Sequence, residues 1–301
     1  MKDLPIVFTL FGNSHFANAL HETLGYEIGE LSLHQFPDGE TSVNINSPIQ
    51  NRDVIFITSL EHPDPKFLPL LFSAETARAL GAERIGLVAL YLPYMRQDRQ
   101  FHLGESVTST YFARLISEYF DGLITIDPHL HRWHALNEIY SIPAKALHAT
   151  HSIAKWIKHH VTLPVLIGPD AESAQWVSEI AEIIKVPFLI LKKERKGDRQ
   201  VETSMPEVQA YQHHTPILID DIISSGVTMI ETVNHLKLLQ MSPPICIGVH
   251  ALFAEHAYDK LLQAGVERVV TCNSIMHPSN EIDIKDDLVR SIGTLFFEAP
   301  L

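Results

Sequence analysis

The chain contains 301 residues, of which 46% are hydrophobic and 20% are charged. This length predicts roughly two domains, and the apolar fraction can supply a core for each, so a disordered or collagen-like chain is excluded. The formal net charge of -13 argues against nucleic acid and anionic membranes as partners, because both repel an acidic surface at long range.

Apolar runs alternate with helical patterns along nearly the whole chain. Several of these runs are continuously apolar, which is typical of parallel strands covered on both faces. The alternation therefore predicts repeated strand–helix–strand units and a doubly wound α/β fold. The predicted strands are Ile6–Leu10, Val54–Thr58, Ile85–Leu90, Leu123–Ile126, Val165–Ile167, Phe188–Leu191, Ile217–Ile219, Ile245–Val249 and Val269–Cys272. The predicted helices are Phe67–Leu80, Thr108–Tyr119, Ala171–Ile184 and Thr228–Leu239.

Pro143 interrupts this pattern within the segment Ser141–Thr150. We therefore expect a boundary there, between an N-terminal domain of residues 1–145 and a C-terminal domain of residues 146–301. The chain has two cysteines, each inside an apolar stretch, so a disulfide framework is not expected and a reducing cytoplasm is the predicted location. No apolar run reaches the roughly 18 to 20 residues that span a bilayer.

The strongest functional signal is the segment Pro216–Thr228, which reads PILIDDIISSGVT. An apolar strand ends in Asp220 and Asp221, and a turn of small residues then opens a helix. Ligands of open α/β sheets bind beyond the carboxyl ends of strands, and free backbone N–H groups at such a turn bind phosphate. The two acids suit sugar hydroxyls or a metal ion, so the combination indicates a phosphorylated sugar. The turn residues are Ser224, Ser225, Gly226, Val227 and Thr228.

This segment resembles the phosphoribosyl pyrophosphate (PRPP) loop of type I phosphoribosyltransferases and of ribose-phosphate pyrophosphokinases, the PRPP synthases. Five further motifs, all in family order, favour the second family. They are FPDGE at Phe36–Glu40, YMRQDR at Tyr94–Arg99, DPH at Asp127–His129, the pair Pro169–Asp170, and KER at Lys193–Arg195. A transferase that uses PRPP explains Pro216–Thr228 alone and leaves the first two of these motifs without a role.

The resemblance assigns the first two of these motifs to ATP. Phe36 would stack on adenine, with carboxylates at its polar edge, although FPDGE by itself is typical of a tight turn. Arg96 offers a planar fork suited to a polyphosphate, and Gln97 can donate a hydrogen bond to the nucleotide. The ATP-binding residues implied are Phe36, Asp38, Gly39, Glu40, Arg96 and Gln97.

The motif DPH follows a predicted strand, again at a carboxyl end. Because imidazole is an uncommon ligand of Mg²⁺, the chemistry of His129 alone leaves zinc or no metal open. The resemblance implies Mg²⁺ carried by ATP, with His129 and Asp170 as its ligands.

The segment Lys192–Arg199, KKERKGDR, carries five basic and two acidic residues in an otherwise acidic chain. Basic runs usually form solvated surface, but this one follows a predicted strand and contains a glycine, as a catalytic flap does. Electrostatic stabilisation is the main device in the catalysis of phosphoryl transfer. The resemblance makes Lys193 the catalytic lysine, and it assigns Arg195 to catalysis and to ribose 5-phosphate.

The resemblance implies two doubly wound domains of type I phosphoribosyltransferase-like topology with mainly parallel sheets. The N-terminal domain would carry the ATP motifs, and the C-terminal domain would carry the ribose 5-phosphate loop and the flap. The implied reaction transfers the diphosphoryl group of ATP to the anomeric hydroxyl of ribose 5-phosphate, giving PRPP and AMP. Family members assemble as dimers within larger rings, so a homodimer or a higher homo-oligomer is expected.

Three residues depart from the family pattern. Glu172 stands where many synthases have glycine, which lets the backbone approach phosphate closely. Val227 replaces the second glycine of the PRPP loop, in a turn expected to need a positive φ. Ser224 stands where the regulated bacterial class has aspartate, which makes the chain more similar to archaeal-type synthases. The alternative hypothesis is a non-catalytic synthase-like protein that binds nucleotide or sugar phosphate and regulates partners.

Overall fold

The computed structural model describes residues 4–169, 173–191, 194–196, 200–202 and 208–295. It contains two compact units: the residues up to Leu147 together with the segment from Lys285 onward form the first, and His148–Ile284 form the second. Each unit is built around a six-stranded sheet in which the paired strands are parallel.

The first unit alternates strands and helices along the chain. Its strands are β1 (Ile6–Thr9), β2 (Glu27–Ile28), β3 (Leu31–Gln35), β4 (Thr41–Ile45), β5 (Asp53–Thr58), β6 (Arg84–Ala89), β7 (Gly122–Ile126) and β8 (Ala144–Leu147). Its helices are α1 (Ser14–Leu24), α2 (Asp64–Ala79), α3 (Thr108–Tyr119) and α8 (Lys285–Leu295). The sheet has the order β2-β1-β5-β6-β7-β8, and β3 and β4 form a separate antiparallel hairpin.

The second unit has the same kind of alternation. Its strands are β9 (Pro164–Gly168), β10 (Phe188–Ile190), β11 (Glu194–Lys196), β12 (Gln200–Glu202), β13 (Thr215–Ile223), β14 (Ile245–Ala251), β15 (Arg268–Cys272) and β16 (Asn280–Ile282). Its helices are α4 (Thr150–His160), α5 (Ala174–Ile184), α6 (Val227–Leu238) and α7 (Ala257–Gln263). The sheet has the order β10-β9-β13-β14-β15-β16, and β11 and β12 form a two-stranded antiparallel ribbon.

Apolar periodicity explains why these segments form these elements. Strands β5 and β7 are buried along their whole length, as parallel strands covered on both faces are. Helix α3 buries Ser109, Phe112, Ala113 and Ile116, the i, i+3, i+4, i+7 spacing of one helix face. The two sheets also have the same strand order along the chain. The predicted fold of two doubly wound domains with mainly parallel sheets is therefore confirmed.

The C-terminal helix departs from the expected division of the chain. The expected boundary at residue 145 lies close to Leu147, but the sequence-based division assigned everything beyond it to the second domain. Instead, α8 packs against α1 and β8 and belongs to the first unit. Leu288 and Ile292, one turn apart on α8, are fully buried, so this packing removes an apolar helix face from water.

The predicted elements agree in type with the structure and differ at some ends. Helix α3 matches its prediction at both ends, whereas α2 begins at Asp64, three residues before the predicted start. The predicted helix Ala171–Ile184 corresponds to α5, and residues 171 and 172 lie outside the described residues. Cys246 and Cys272 are both buried, and neither forms a disulfide bond. Among the described residues, no helix is both long and apolar enough to cross a membrane.

Candidate active site

The second sheet changes its direction of winding between β9 and β13. The chain adds β10 on one side of β9 and then crosses to place β13 on the other side. Such a switch point leaves a crevice beyond the carboxyl ends of the strands, where open α/β sheets bind ligands. Sequence-predicted site residues follow the three strand ends nearest this point, and they include Asp170 after β9, Lys193 and Arg195 after β10, and the residues at the end of β13.

Asp220 and Asp221 lie within β13, because the strand continues as far as Ile223. Both residues are partly exposed. The backbone N–H of Asp221 donates to Oδ1 of Asp220 at 3.0 Å, and the N–H of Ile222 donates to Oδ1 of Asp221 at 2.7 Å. A carboxylate has about four lone-pair sites, and these backbone contacts orient both groups. The acids therefore suit the hydroxyl groups of a sugar.

The loop of residues 224–228 has its left-handed position at Gly226 and not at Val227. Gly226 has φ 71° and ψ 3°, and Val227 is the first residue of helix α6. The positive φ expected in this turn is therefore present, but it falls on Gly226 and not on Val227, so glycine occupies the position where a side chain would be strained. The side chain of Val227 is 54% exposed, so its branched Cβ meets little crowding.

Helix α6 presents an uncapped amino terminus to the 224–228 loop. Gly226 precedes the helix without a side chain that binds its N–H groups, and the first turn contains no acidic residue. The first N–H groups of a helix lack intrahelical acceptors and carry partial positive charge. Ser224, Ser225 and Thr228 are partly exposed in the same loop. The loop thus offers backbone and hydroxyl donors to a phosphate group.

Several predicted site residues of this unit have no described side chain. Asp170, Glu172 and Lys193 lie outside the described residues. The backbone of Arg195 lies in β11, opposite Val201 of β12, so the predicted flap contains a two-stranded ribbon. The roles of these residues remain predictions from the sequence.

In the first unit, Arg96 and Gln97 follow β6 in a long loop that Tyr94 holds in place. Tyr94 has a φ of 64°, its hydroxyl donates to the carboxylate of Asp64, and its ring centroid lies 5.0 Å from that of Phe112. Burial and the bond to Asp64 raise the pKa of the Tyr94 hydroxyl to about 12. In the same loop, Arg96 is exposed and Gln97 is half-buried.

Glu105 organises the rest of this loop, a role that the sequence did not indicate. Its Oε2 accepts hydrogen bonds from the backbone N–H groups of Phe101 at 2.9 Å and His102 at 3.0 Å. The same oxygen lies 3.3 Å from Nε2 of Gln97. One carboxylate therefore orients three donors, including a side chain assigned to ATP. No spacing or motif distinguishes Glu105 from an ordinary loop acid, so sequence reasoning had no signal for it.

An ion pair joins the loop of Arg96 and Gln97 to the loop that contains His129. Asp98 is 7% exposed, and its Oδ1 lies 3.5 Å from Nε of Arg132. Strands β6 and β7, which precede the two loops, are neighbours in the sheet. The structure thus brings the second and third of the predicted motifs together at one edge of the first sheet.

The FPDGE segment forms the turn of the β3–β4 hairpin. The N–H of Gly39 donates to the carbonyl of Phe36 at 2.9 Å, and the N–H of Phe36 donates to the carbonyl of Glu40 at 2.7 Å. Gly39 has a φ of 93°, and Oδ1 of Asp38 accepts the N–H of Glu40 at 3.2 Å. The tight turn predicted from these residues is confirmed. Phe36 is 44% exposed, with its ring centroid 4.8 Å from that of His34.

The described residues supply few donors for a metal ion. Within the described ranges, no group of three or more His, Cys, Asp or Glu side chains could hold one. His129 is half-buried, and its ring lies nearly parallel to that of His131 with 5.7 Å between centroids. Mg²⁺ keeps several waters and binds one or two protein groups plus substrate phosphates. The pair predicted from the sequence, one imidazole and one carboxylate, is within this number of protein groups.

Comparisons with known proteins agree with this arrangement. Residues 5–119 match the N-terminal domain of ribose phosphate pyrophosphokinase, and residues 135–287 match the phosphoribosyl transferase domain. A ribose-phosphate pyrophosphokinase of Methanopyrus kandleri is 29% identical over 92% of this chain and 94% of its own length. One of Sulfolobus acidocaldarius is 30% identical over 85% of this chain and 89% of its own length.

A solved structure shares the fold over nearly the whole chain. The crystal structure of phosphoribosylpyrophosphate synthetase from Mycobacterium smegmatis matches with a TM-score of 0.81. The match covers 97% of this chain and 98% of that chain at 20% sequence identity. Since the identity is low, this similarity shows the fold alone.

The doubly wound sheet, the switch point and the uncapped loop before α6 define a protein of the phosphoribosyl transferase class. Within this class, a chain that also matches the N-terminal domain of ribose phosphate pyrophosphokinase has a more specific identity. The chain belongs to the ribose-phosphate pyrophosphokinase family, and it is an enzyme of that family, as its motifs predicted. A transferase that uses PRPP does not account for residues 5–119.

Proposed function

We propose that this enzyme transfers the diphosphoryl group of ATP to the anomeric hydroxyl of ribose 5-phosphate. The hydroxyl oxygen attacks the β-phosphorus of ATP and forms a new P–O bond. The bond from that phosphorus to the α,β-bridging oxygen breaks, and AMP leaves with the electron pair. The hydroxyl proton is released, and the products are PRPP and AMP. Binding, orientation and electrostatic stabilisation by the protein are the main contributions to such a transfer.

Ribose 5-phosphate would bind in the second unit. Its phosphate would accept hydrogen bonds from the 224–228 loop and from the first N–H groups of α6, where the helix dipole favours an anion. Asp220 and Asp221 would accept hydrogen bonds from the ribose hydroxyls. The observation that carries this assignment is the joint position of two oriented carboxylates and an uncapped helix at the sheet's switch point.

ATP would bind to residues of the first unit. Arg96, which is exposed, would contact the polyphosphate. Gln97, whose Nε2 lies 3.3 Å from Oε2 of Glu105, would contact the nucleotide. The exposed ring of Phe36, with the polar groups of the FPDGE turn, would contact the adenine, in the same chain or in a neighbouring copy.

His129 and Asp170 would hold Mg²⁺ together with the phosphates of ATP. When bound there, Mg²⁺ would neutralise part of the phosphate charge that opposes attack by the hydroxyl. Lys193 and Arg195 would stabilise the negative charge that grows on the bridging oxygen and on the transferred group. Both are basic residues of the segment that follows β10 in the sequence. Strand β10 is the neighbour of β9, the strand that precedes Asp170.

We also propose a cytoplasmic homodimer or a higher homo-oligomer that takes part in nucleotide biosynthesis. Two buried cysteines that form no disulfide bond fit a reducing compartment. Leu68 and Phe72, one turn apart on α2, are 57% and 45% exposed, and Tyr111 on α3 is 48% exposed. Contiguous exposed apolar patches mark association surfaces, and α2 and α3, which are in contact, would supply one here. Light scattering would test the assembly, and a monomer at working concentration would contradict it.

The assignment of the two substrates to two sets of residues is tested by paired kinetics. We expect Arg96→Ala to raise KM for ATP about tenfold or more, and Asp221→Asn to do the same for ribose 5-phosphate. Arg290→Ala, which removes an exposed ion pair with Asp287 on α8, serves as the control and should change neither constant. An Asp221→Asn variant with an altered KM for ATP alone would contradict the assignment.

A further inference from the structure

The turn that follows β14 has an unusual backbone. Within the turn Phe253–His256, Phe253 has φ 41°, Glu255 has φ 54° and His256 has φ 61°. All three are left-handed, and none is glycine, so each conformation is unfavourable on its own. A run of this kind persists only where surrounding contacts hold it, and such runs concentrate at functional sites.

This turn and the residue that follows it lie against the 224–228 loop. The backbone N–H of Phe253 donates to the carbonyl of Ile223 at 2.9 Å, directly before the loop begins. Within the loop, a Cβ built on Gly226, the residue before α6, would lie 3.4 Å from Cβ of Ala257, the residue after the turn. The segment of residues 253–257 therefore supports the loop where it leaves β13 and where it enters α6.

Three aromatic rings hold the turn in this conformation. The ring centroid of Phe253 lies 5.4 Å from that of Tyr258 and 4.5 Å from that of His277. Tyr258 and His277 complete the group, with 5.0 Å between their centroids. Phe253 and Tyr258 also pack against the core of the second unit. His277 is fixed in turn, because its Nδ1 accepts the backbone N–H of Ser279 at 3.1 Å.

We propose that Phe253 is a positioning residue for ribose 5-phosphate, and that Tyr258 and His277 act through it. The ring contacts keep the left-handed turn in place, and the turn keeps the N–H donors of the 224–228 loop in the geometry that binds phosphate. The cost of ordering the loop is then met on folding instead of on binding, which is the general benefit of preorganisation. The proposal rests on the proposed function of the 224–228 loop.

Kinetics of the full-length enzyme test this role. We expect Phe253→Ala to raise KM for ribose 5-phosphate about tenfold, because the loop must be ordered again at each binding event. KM for ATP should stay within about twofold of the wild-type value, since the ATP motifs lie in the first unit. Phe253→Leu keeps apolar bulk without a ring, and a smaller rise of about threefold is expected.

Arg268→Ala is the matched control for loss of stability. Arg268 lies at the amino end of β15, where it pairs with Glu281 and lies 5.3 Å from the ring of Trp156. This substitution should lower the thermal midpoint without changing KM for ribose 5-phosphate. If Phe253→Ala and Arg268→Ala behaved alike, with lower midpoints and wild-type KM values, Phe253 would be structural only and the proposal would be overturned.

The same experiment separates this proposal from the proposed function. A wild-type enzyme that forms no PRPP would refute the proposed function and the positioning role with it. If the wild-type enzyme is active and both Phe253→Ala and Phe253→Leu keep the wild-type KM for ribose 5-phosphate, the positioning role alone would be refuted. If Phe253→Ala does not fold, Phe253→Leu and Tyr258→Leu provide the measurement, and a wild-type KM in both would again overturn the proposal.

Discussion

Replacement of Gly226 by alanine tests the proposed phosphate-binding geometry of the 224–228 loop. A Cβ at this position would lie 3.4 Å from Cβ of Ala257 and 3.7 Å from two side-chain atoms of Leu261, so there is nearly enough space for it. The left-handed conformation, in contrast, costs a residue with a Cβ about 1–2 kcal/mol. Lower entropy of the unfolded chain offsets about 0.4–1 kcal/mol of this cost. We therefore expect Gly226→Ala to lower the free energy of unfolding by about 1 kcal/mol.

The effect on activity should exceed the effect on stability. If the backbone of the Gly226→Ala variant relaxes toward negative φ at this position, the N–H groups of the loop and of the first turn of α6 move away from the phosphate. Misplacement of a substrate by about 1 Å lowers rates by up to about a hundredfold, so we expect kcat/KM for ribose 5-phosphate to fall at least about tenfold. Urea unfolding and initial-rate kinetics measure the two effects.

Val227→Ala is the matched comparison at the next residue. Val227 is the first residue of α6 and is 54% exposed, so little packing is lost. The free energy of unfolding should stay within about 0.5 kcal/mol of the wild-type value. A Gly226→Ala enzyme with wild-type stability and kcat/KM would refute the reasoning. So would a larger loss of stability in Val227→Ala than in Gly226→Ala.

Three further substitutions test other parts of the account. Lys193→Ala should lower kcat by about a hundredfold or more, because charge stabilisation is lost. Lys155→Ala, on the exposed face of α4, is the control and should not lower kcat. Equal kcat values in the two variants would exclude Lys193 from catalysis. Asp98→Ala should raise KM for ATP about threefold to tenfold, because Arg132 loses its partner and the loops after β6 and β7 separate. An unchanged KM for ATP would show that this ion pair does not shape the ATP site. Burial lowers the pKa of His277 from 6.5, so the unfolded chain binds this proton more readily and His277 destabilises the fold as pH falls below 6.5. The drop in unfolding free energy between about pH 7.5 and about pH 5.5 should therefore be smaller in His277→Phe, and an equal drop would contradict this assignment.

The apolar spacing of the sequence predicted several helices and buried parallel strands, because that spacing is local to each segment. Helix α3 matched at both ends because its apolar spacing is complete within one segment. The hairpin of β3 and β4 was not predicted, since both strands are short, contain polar residues and are largely not buried. The return of α8 to the first unit was also missed, because this contact joins opposite ends of the chain and no local pattern indicates it.

The chemistry of the site was easier to predict than its geometry. The acid pair and the small residues after it indicated a sugar phosphate, and the structure places them at a switch point beside an uncapped helix. A left-handed residue was expected in this turn and is present, but its position at Gly226 was not predicted, because the sequence does not decide between two consecutive residues. The supporting roles of Glu105 and Phe253 depend on contacts that only the folded chain defines.

Diphosphoryl transfer itself is tested most directly by following AMP and PRPP together. The purified chain would be incubated with ATP, Mg²⁺ and ribose 5-phosphate, and reactions without the sugar phosphate would report background hydrolysis. The account predicts AMP and PRPP in equal amounts, with neither formed when ribose 5-phosphate is absent. A folded enzyme that forms ADP instead of AMP, or that binds ATP and forms no PRPP, would contradict it.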